Sequence, residues 1–115
     1  MKRDLGLFPQ DENGDILWRM HRGGDDLAKP REIDFSLIFS TEDDAITFAV
    51  YLLRTGQKVS FSSYEGNKEK PWQVQVHPVM EASYENITNF EKHLGEDASE
   101  LGGVNDGWGC LRQDS

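Results

Sequence analysis

Four side chains in this sequence have the chemistry to ligate a metal or attack a substrate: His21, His77, His93 and Cys110. Zinc sites usually take such ligands in close pairs, CxxC or HxxxH, because one local element must aim two lone pairs at one ion. These four fall on four separate predicted elements with no paired spacing, so no metal site is expected. Nucleophilic attack by Cys110 needs a positive neighbourhood to hold its thiolate, and Asp106, Gly107 and Gly109 do not provide one. The pairs Asp25-Asp26, Asp43-Asp44 and Glu96-Asp97 sit at predicted helix ends or in loops, where capping and solvation account for them. Residues 11–15 (DENGD) hint at calcium, yet lack the remaining ligands and the bidentate glutamate at the twelfth position. No catalytic residue, metal or cofactor is therefore expected. The stretch Asn105-Asp106-Gly107-Trp108-Gly109-Cys110 is left. Glycines on both sides of a tryptophan permit a tight turn or close backbone approach, and the indole supplies contact area. Trp108 either anchors the last strand to the core, with the glycines shaping a bulge, or joins Asp106 in a partner-binding surface, where tryptophan is over-represented.

The elements that must position these residues are legible from hydrophobic period. Ile33, Phe35, Leu37 and Phe39 alternate with Asp34, Ser36, Ile38 and Ser40, the pattern of a strand with one buried face. Ala45, Phe48, Ala49, Leu52 and Leu53 then follow a helical stripe. Ser40 or Thr41 caps that helix, Glu42, Asp43 and Asp44 suit its positive end, and Gly56 stops it. Two strands follow over residues 59–64 and 72–80, joined by a polar loop at residues 65–70; Pro78 belongs near the strand's end or on a bulge. Ser83 caps a second helix carrying Tyr84, Ile87 and Leu94, with Gly95 as its expected stop, and residues 106–111 form a last strand. Residues 15–22 alternate ambiguously; Asp11 or Asn13 as cap and Gly23-Gly24 as stop favour a short helix. The order is a leading helix and then β-α-β-β-α-β. That predicts an α+β, ferredoxin-like two-layer sandwich, with a four-stranded antiparallel sheet in the order 4-1-3-2. Residues 1–14 are expected to be a flexible arm, 15–111 a single domain and 112–115 a tail.

The totals constrain the function classes. A chain of 115 residues suits one core. It has no long apolar run and no leader pattern, and its one cysteine suits a reducing compartment, so a cytoplasmic protein without membrane contact is expected. Formal charge is −9, from 12 basic and 21 acidic residues, with the whole excess after Arg31. Such a field repels phosphate backbones and attracts basic partners. Sheets of this topology often bind single-stranded RNA through exposed aromatics ringed by basic residues. Phe35, Phe39, Phe61 and Trp72 have no basic cluster beside them, so direct nucleic-acid binding is not expected.

Several short motifs, in order, resemble the RraB family, regulators that inhibit ribonuclease E. They are Gly24-Asp25-Asp26-Leu27 followed by Lys29-Pro30-Arg31-Glu32, then Phe39-Ser40-Thr41-Glu42, Gly56 with Lys58-Val59, and Asp106-Gly107-Trp108-Gly109, similar to that family's DGWG signature. The resemblance implies a ferredoxin-like fold and a cytoplasmic, non-enzymatic protein that engages the arginine-rich, non-catalytic part of RNase E and alters transcript decay. Glu42, Asp43 and Asp44, with Asp106 and Trp108, are the residues expected to make that contact, the acids steering and the aromatic anchoring. The alternatives are a small enzyme or ligand-binding domain with a pocket near Cys110 and Trp108, or a single-stranded RNA binder. Oligomeric state is not readable from the sequence.

Overall fold

Ile33, Phe35, Leu37 and Phe39 are all fully buried, and the strand that carries them, β1 (Arg31–Phe39), lies in the middle of the sheet. The structure is a computed structural model that describes residues 2–113; Met1 of the expected arm and Asp114 and Ser115 of the expected tail lie outside the described residues. Before β1 comes α1 (Glu12–Arg22), and after it α2 (Glu42–Arg54), β2 (Val59–Ser63), β3 (Trp72–Val76), β4 (Val79–Met80), α3 (Tyr84–Ser99) and β5 (Val104–Cys110). All pairings are antiparallel.

The five strands occupy four lanes, because β4 continues β3. Arg31 pairs with Met80 and Glu32 with Val79 in the same register that pairs Phe35 with Val76. Pro78 makes the break: it has no N–H to donate, while its carbonyl still accepts from the Ile33 amide at 2.9 Å. Across the sheet the lanes then run β2, β3 with β4, β1, β5, which is the expected 4-1-3-2 order. α2 and α3 cover one face, where Phe39 meets Phe48 and Phe35 meets Phe90 at ring separations of 5.4 and 4.7 Å.

Local signals explain most boundaries. Thr41 caps α2 by accepting from the Asp44 amide at 3.1 Å, and Ser83 caps α3 in the same way through Asn86. Gly56 takes the left-handed conformation (φ +87°) that ends α2. The end of α3 differs from expectation. Gly95 lies inside the helix, which runs to Ser99 and stops at Gly102 (φ +74°). Leu94 and Ala98, one turn apart, are both buried, and continuing that stripe offsets the roughly 1 kcal/mol that a helical glycine costs.

The start of the chain is also more tied down than its composition indicates. α1 begins at Glu12, capped by Asp11, whose side chain accepts from the Gly14 amide at 2.8 Å. Ahead of it Phe8 is buried against Trp18, and Arg3 reaches back to the Phe8 and Pro9 carbonyls and to Asp15. One apolar ring with a hollow to fill therefore gives the segment a docked course along α1.

Candidate functional site

The glycines around Trp108 shape a bulge. Trp108 pairs with Phe35 and Asn105 with Leu37, so Asp106 and Gly107 together stand opposite Ser36 alone; Gly107 has φ +100°. Trp108 shares a face with buried Phe35 and so points to the helix side, where its Nε1–H donates to Asn13 Oδ1 of α1 at 2.9 Å. It is half-buried, the anchor of the first of the two readings. Asp106 is exposed at the bulge and accepts from the hydroxyl of Tyr64, which it holds above the usual phenol pKa. Tyr64 belongs to the β2–β3 loop, so this contact ties that loop to β5.

Trp108 and Ile16 stand between two grooves where α1 lies along β5. The first, about 320 Å³, is also lined by Arg19, Met20, Asp25 and Cys110. This is where a small ligand or a reactive thiol was expected on the alternative reading. Burial pushes the Cys110 thiol above its ordinary pKa, against a smaller downward pull from Arg31. Since the thiolate is the nucleophile, alkylation of native Cys110 at neutral pH is expected to run several-fold slower than in the denatured chain. Labelling as fast in the native state would return chemistry to this groove. Asp25 on its wall makes a buried ion pair with Arg31 at 2.8 Å, and Arg31 also donates to the Leu111 and Asp26 carbonyls, tying the lead-in of β1 to the end of β5.

The acidic turn Glu42, Asp43 and Asp44 lies on the other half of the sandwich. α2 packs over β1, β2 and β3, whereas α3 packs over β5 and β1, so the five residues expected to form one surface fall into two groups. What joins the groups is charge on the outside of the helix layer. α2 carries Glu42, Asp43 and Asp44 against Arg54, and α3 exposes Glu85, Glu96 and Asp97 against Lys92. Tyr51 of α2 donates to Asp97 of α3 at 3.2 Å, which binds the two acidic helices side by side.

One constellation escaped the sequence. On the open face His77 places Nδ1 2.6 Å from Asp34 and Nε2 2.8 Å from Ser60 Oγ, a serine–histidine–aspartate chain. Alternate polar positions on β1 and the parity of His77 were visible, but only strand register puts them side by side. Acyl transfer also needs two donors converging beside the nucleophile. Ser60 stands mid-strand, where backbone N–H groups lie in the sheet plane and away from its side chain. Glu32, Asp34 and His77 have atoms close enough to share a cation, and the Lys58 ammonium supplies that charge at 3.1 Å from Glu32. The arrangement works as a polar clasp across three strands.

The aromatic side chains considered for RNA all point to the helix-covered face. Phe35 and Phe39 are buried there, Trp72 pairs with Phe39, and Phe61 pairs with Val74 and stacks on Trp72 at 5.7 Å. None of these four is therefore on the open face, where this mode of RNA binding places its stacking aromatics. Among the described residues no helix is long and apolar enough to cross a membrane. A family model described as regulator of ribonuclease activity B, RraB, matches residues 10–110 of the chain. No curated protein matches the sequence.

Proposed function

We propose, from the premise that this chain belongs to the RraB family of regulators of ribonuclease activity, that it is a non-enzymatic, cytoplasmic protein that docks on the arginine-rich region of RNase E and restrains its activity. A regulatory, protein-binding role is the family's general character; RNase E as partner is the finer reading. The observation that carries it is the acidic outer surface of α2 and α3 on a chain of formal charge −9. Like charge keeps such a surface off RNA, while a basic, flexible segment is drawn to it and held in register by opposed charges. In the contact, Glu42, Asp43 and Asp44 steer, and Asp106 with Trp108 lies on the flank where the partner chain continues.

The test is affinity capture from a cell lysate with the full chain as bait, repeated at raised salt. RNase E should be recovered at low ionic strength and progressively lost as salt shortens the screening length. Capture of no protein, with a small metabolite retained instead, would overturn the reading in favour of a ligand-binding domain.

A further inference from the structure

β2 is the outermost lane on the side of the sheet away from β5, and it pairs with β3 alone. Antiparallel ladders alternate between residues that turn both backbone groups to the neighbour and residues that turn both away. The ends of this ladder set the phase. His77 donates to the Lys58 carbonyl at 2.9 Å and Tyr64 to the Pro71 carbonyl at 2.6 Å, so Lys58, Ser60, Ser62 and Tyr64 face β3. Val59, Phe61 and Ser63 therefore direct their N–H and C=O groups off the edge of the sheet, and among the described residues nothing in the chain bonds to them. Native sheets blunt such edges with charge, proline or a bulge. Val59–Ser63 has no ionisable residue and no proline, and its register with β3 is unbroken.

An apolar flank lies along the same edge. Phe61 is 40% exposed on the helix side of β2. In α2, Tyr51 leaves the buried stripe on the side of α3, where it meets Asp97. Helical spacing puts Ile46 and Leu53 on the opposite side of that stripe, toward β2, and both are exposed.

We propose that β2 pairs antiparallel with β2 of a second copy of this chain, about a two-fold axis at Phe61, joining two sheets into one. In that register Val59 faces Ser63 of the copy and Phe61 faces its own equivalent, so every outward backbone group gains a partner. The two α2 helices then lie on one side of the joined sheet, and Ile46, Leu53 and Phe61 of each copy flank the axis. Charge selects a copy over a basic segment at this place. The strand offers no acid, and the nearest charged residues, Lys58 before it and Glu65 after it, have opposite signs. Antiparallel pairing sets the basic end of one strand beside the acidic end of the other, whereas chains of formal charge −9 repel across their acidic surfaces.

Sedimentation velocity of the full chain over a concentration series, at salt that screens long-range repulsion, reads the association. Amide hydrogen exchange reads its place. Mass should rise from monomer to dimer, and exchange at Val59, Phe61 and Ser63 should slow in step with it, while Ser60 and Ser62, already bonded to β3, change little. The exposed double variant Ile46→Glu/Leu53→Glu should raise the dimer dissociation constant about tenfold or more, by setting like charges on both sides of the axis. A monomer at every concentration overturns the proposal, as does a dimer whose Val59, Phe61 and Ser63 amides exchange at the monomer's rate. Slowing that appears only when an arginine-rich peptide is added overturns the second copy in favour of a partner's strand.

Discussion

Replacing Asp25 with alanine is expected to lower the free energy of unfolding by about 3–5 kcal/mol. Both side chains of the Asp25–Arg31 pair are 2% exposed, so the variant strands a guanidinium in the interior with carbonyl partners and no counter-charge. A domain of this size has about 5–15 kcal/mol in total, and the loss would move a sizeable fraction of molecules into the unfolded state on modest warming. Denaturant melts followed by circular dichroism measure it. The hydrogen bond that Arg31 donates to Asp25 raises the Arg31 pKa above its ordinary value, so the protonated arginine contributes at every pH below the usual arginine range and is lost only above it. The destabilisation should accordingly be flat across neutral pH. A companion variant, Asp25→Leu with Arg31→Met, removes both charges and should recover most of the loss. A change below about 1 kcal/mol in the single variant would mean that water reaches the pair.

On the proposed docking of the acidic helices on RNase E, reversing the acidic turn of α2, as Glu42→Lys/Asp43→Lys/Asp44→Lys, is expected to weaken binding by about tenfold or more at low salt, by replacing attraction with repulsion at the steering surface. The difference should shrink as salt rises, because exposed charges are screened. Lysines at a helix start also oppose the macrodipole, at roughly 0.3–1 kcal/mol each. The uncharged variant Glu42→Gln/Asp43→Asn/Asp44→Asn therefore serves as a control, with an intermediate loss of affinity and a smaller loss of stability. Undiminished binding by the reversed variant at low salt would remove α2 from the contact.

The motifs that carried the family resemblance turn out to be mostly scaffold. Gly24 adopts a left-handed conformation (φ +94°), Asp25 and Arg31 pair in the interior, and Gly107 forms the bulge that turns Trp108 onto α1. These residues fasten α1 and the lead-in to the β5 side of the sandwich. Their spacing is recognisable because the backbone conformation and the buried pair leave few substitutes. The acidic surface, by contrast, shows in the sequence as an excess of charge and as the turn Glu42-Asp43-Asp44, while the packing of α3 beside α2 is decided by tertiary structure.

What the sequence determined by itself is the β1–α2–β2 unit, the cap at Ser83, the caps of α1 and α2 to within the pairs Asp11 or Asn13 and Ser40 or Thr41, the stop at Gly56 and the break at Pro78. Each depends on φ/ψ preferences or side-chain hydrogen bonds among residues a few positions apart, so the signal and the structure it dictates share one window of chain. Tertiary structure decided the rest. Strict alternation along 106–110 would set Asp106 and Trp108 on the same face; the bulge separates them, turning Trp108 and Asn105 toward the helices and leaving Asp106 at the rim. The same holds for His77 between Asp34 and Ser60, and for Glu12, Glu91 and Asp106 around one recess. Those groups meet through strand register and helix packing across long stretches of chain, and a slip of one residue in register would turn every one of a strand's side chains to the opposite face.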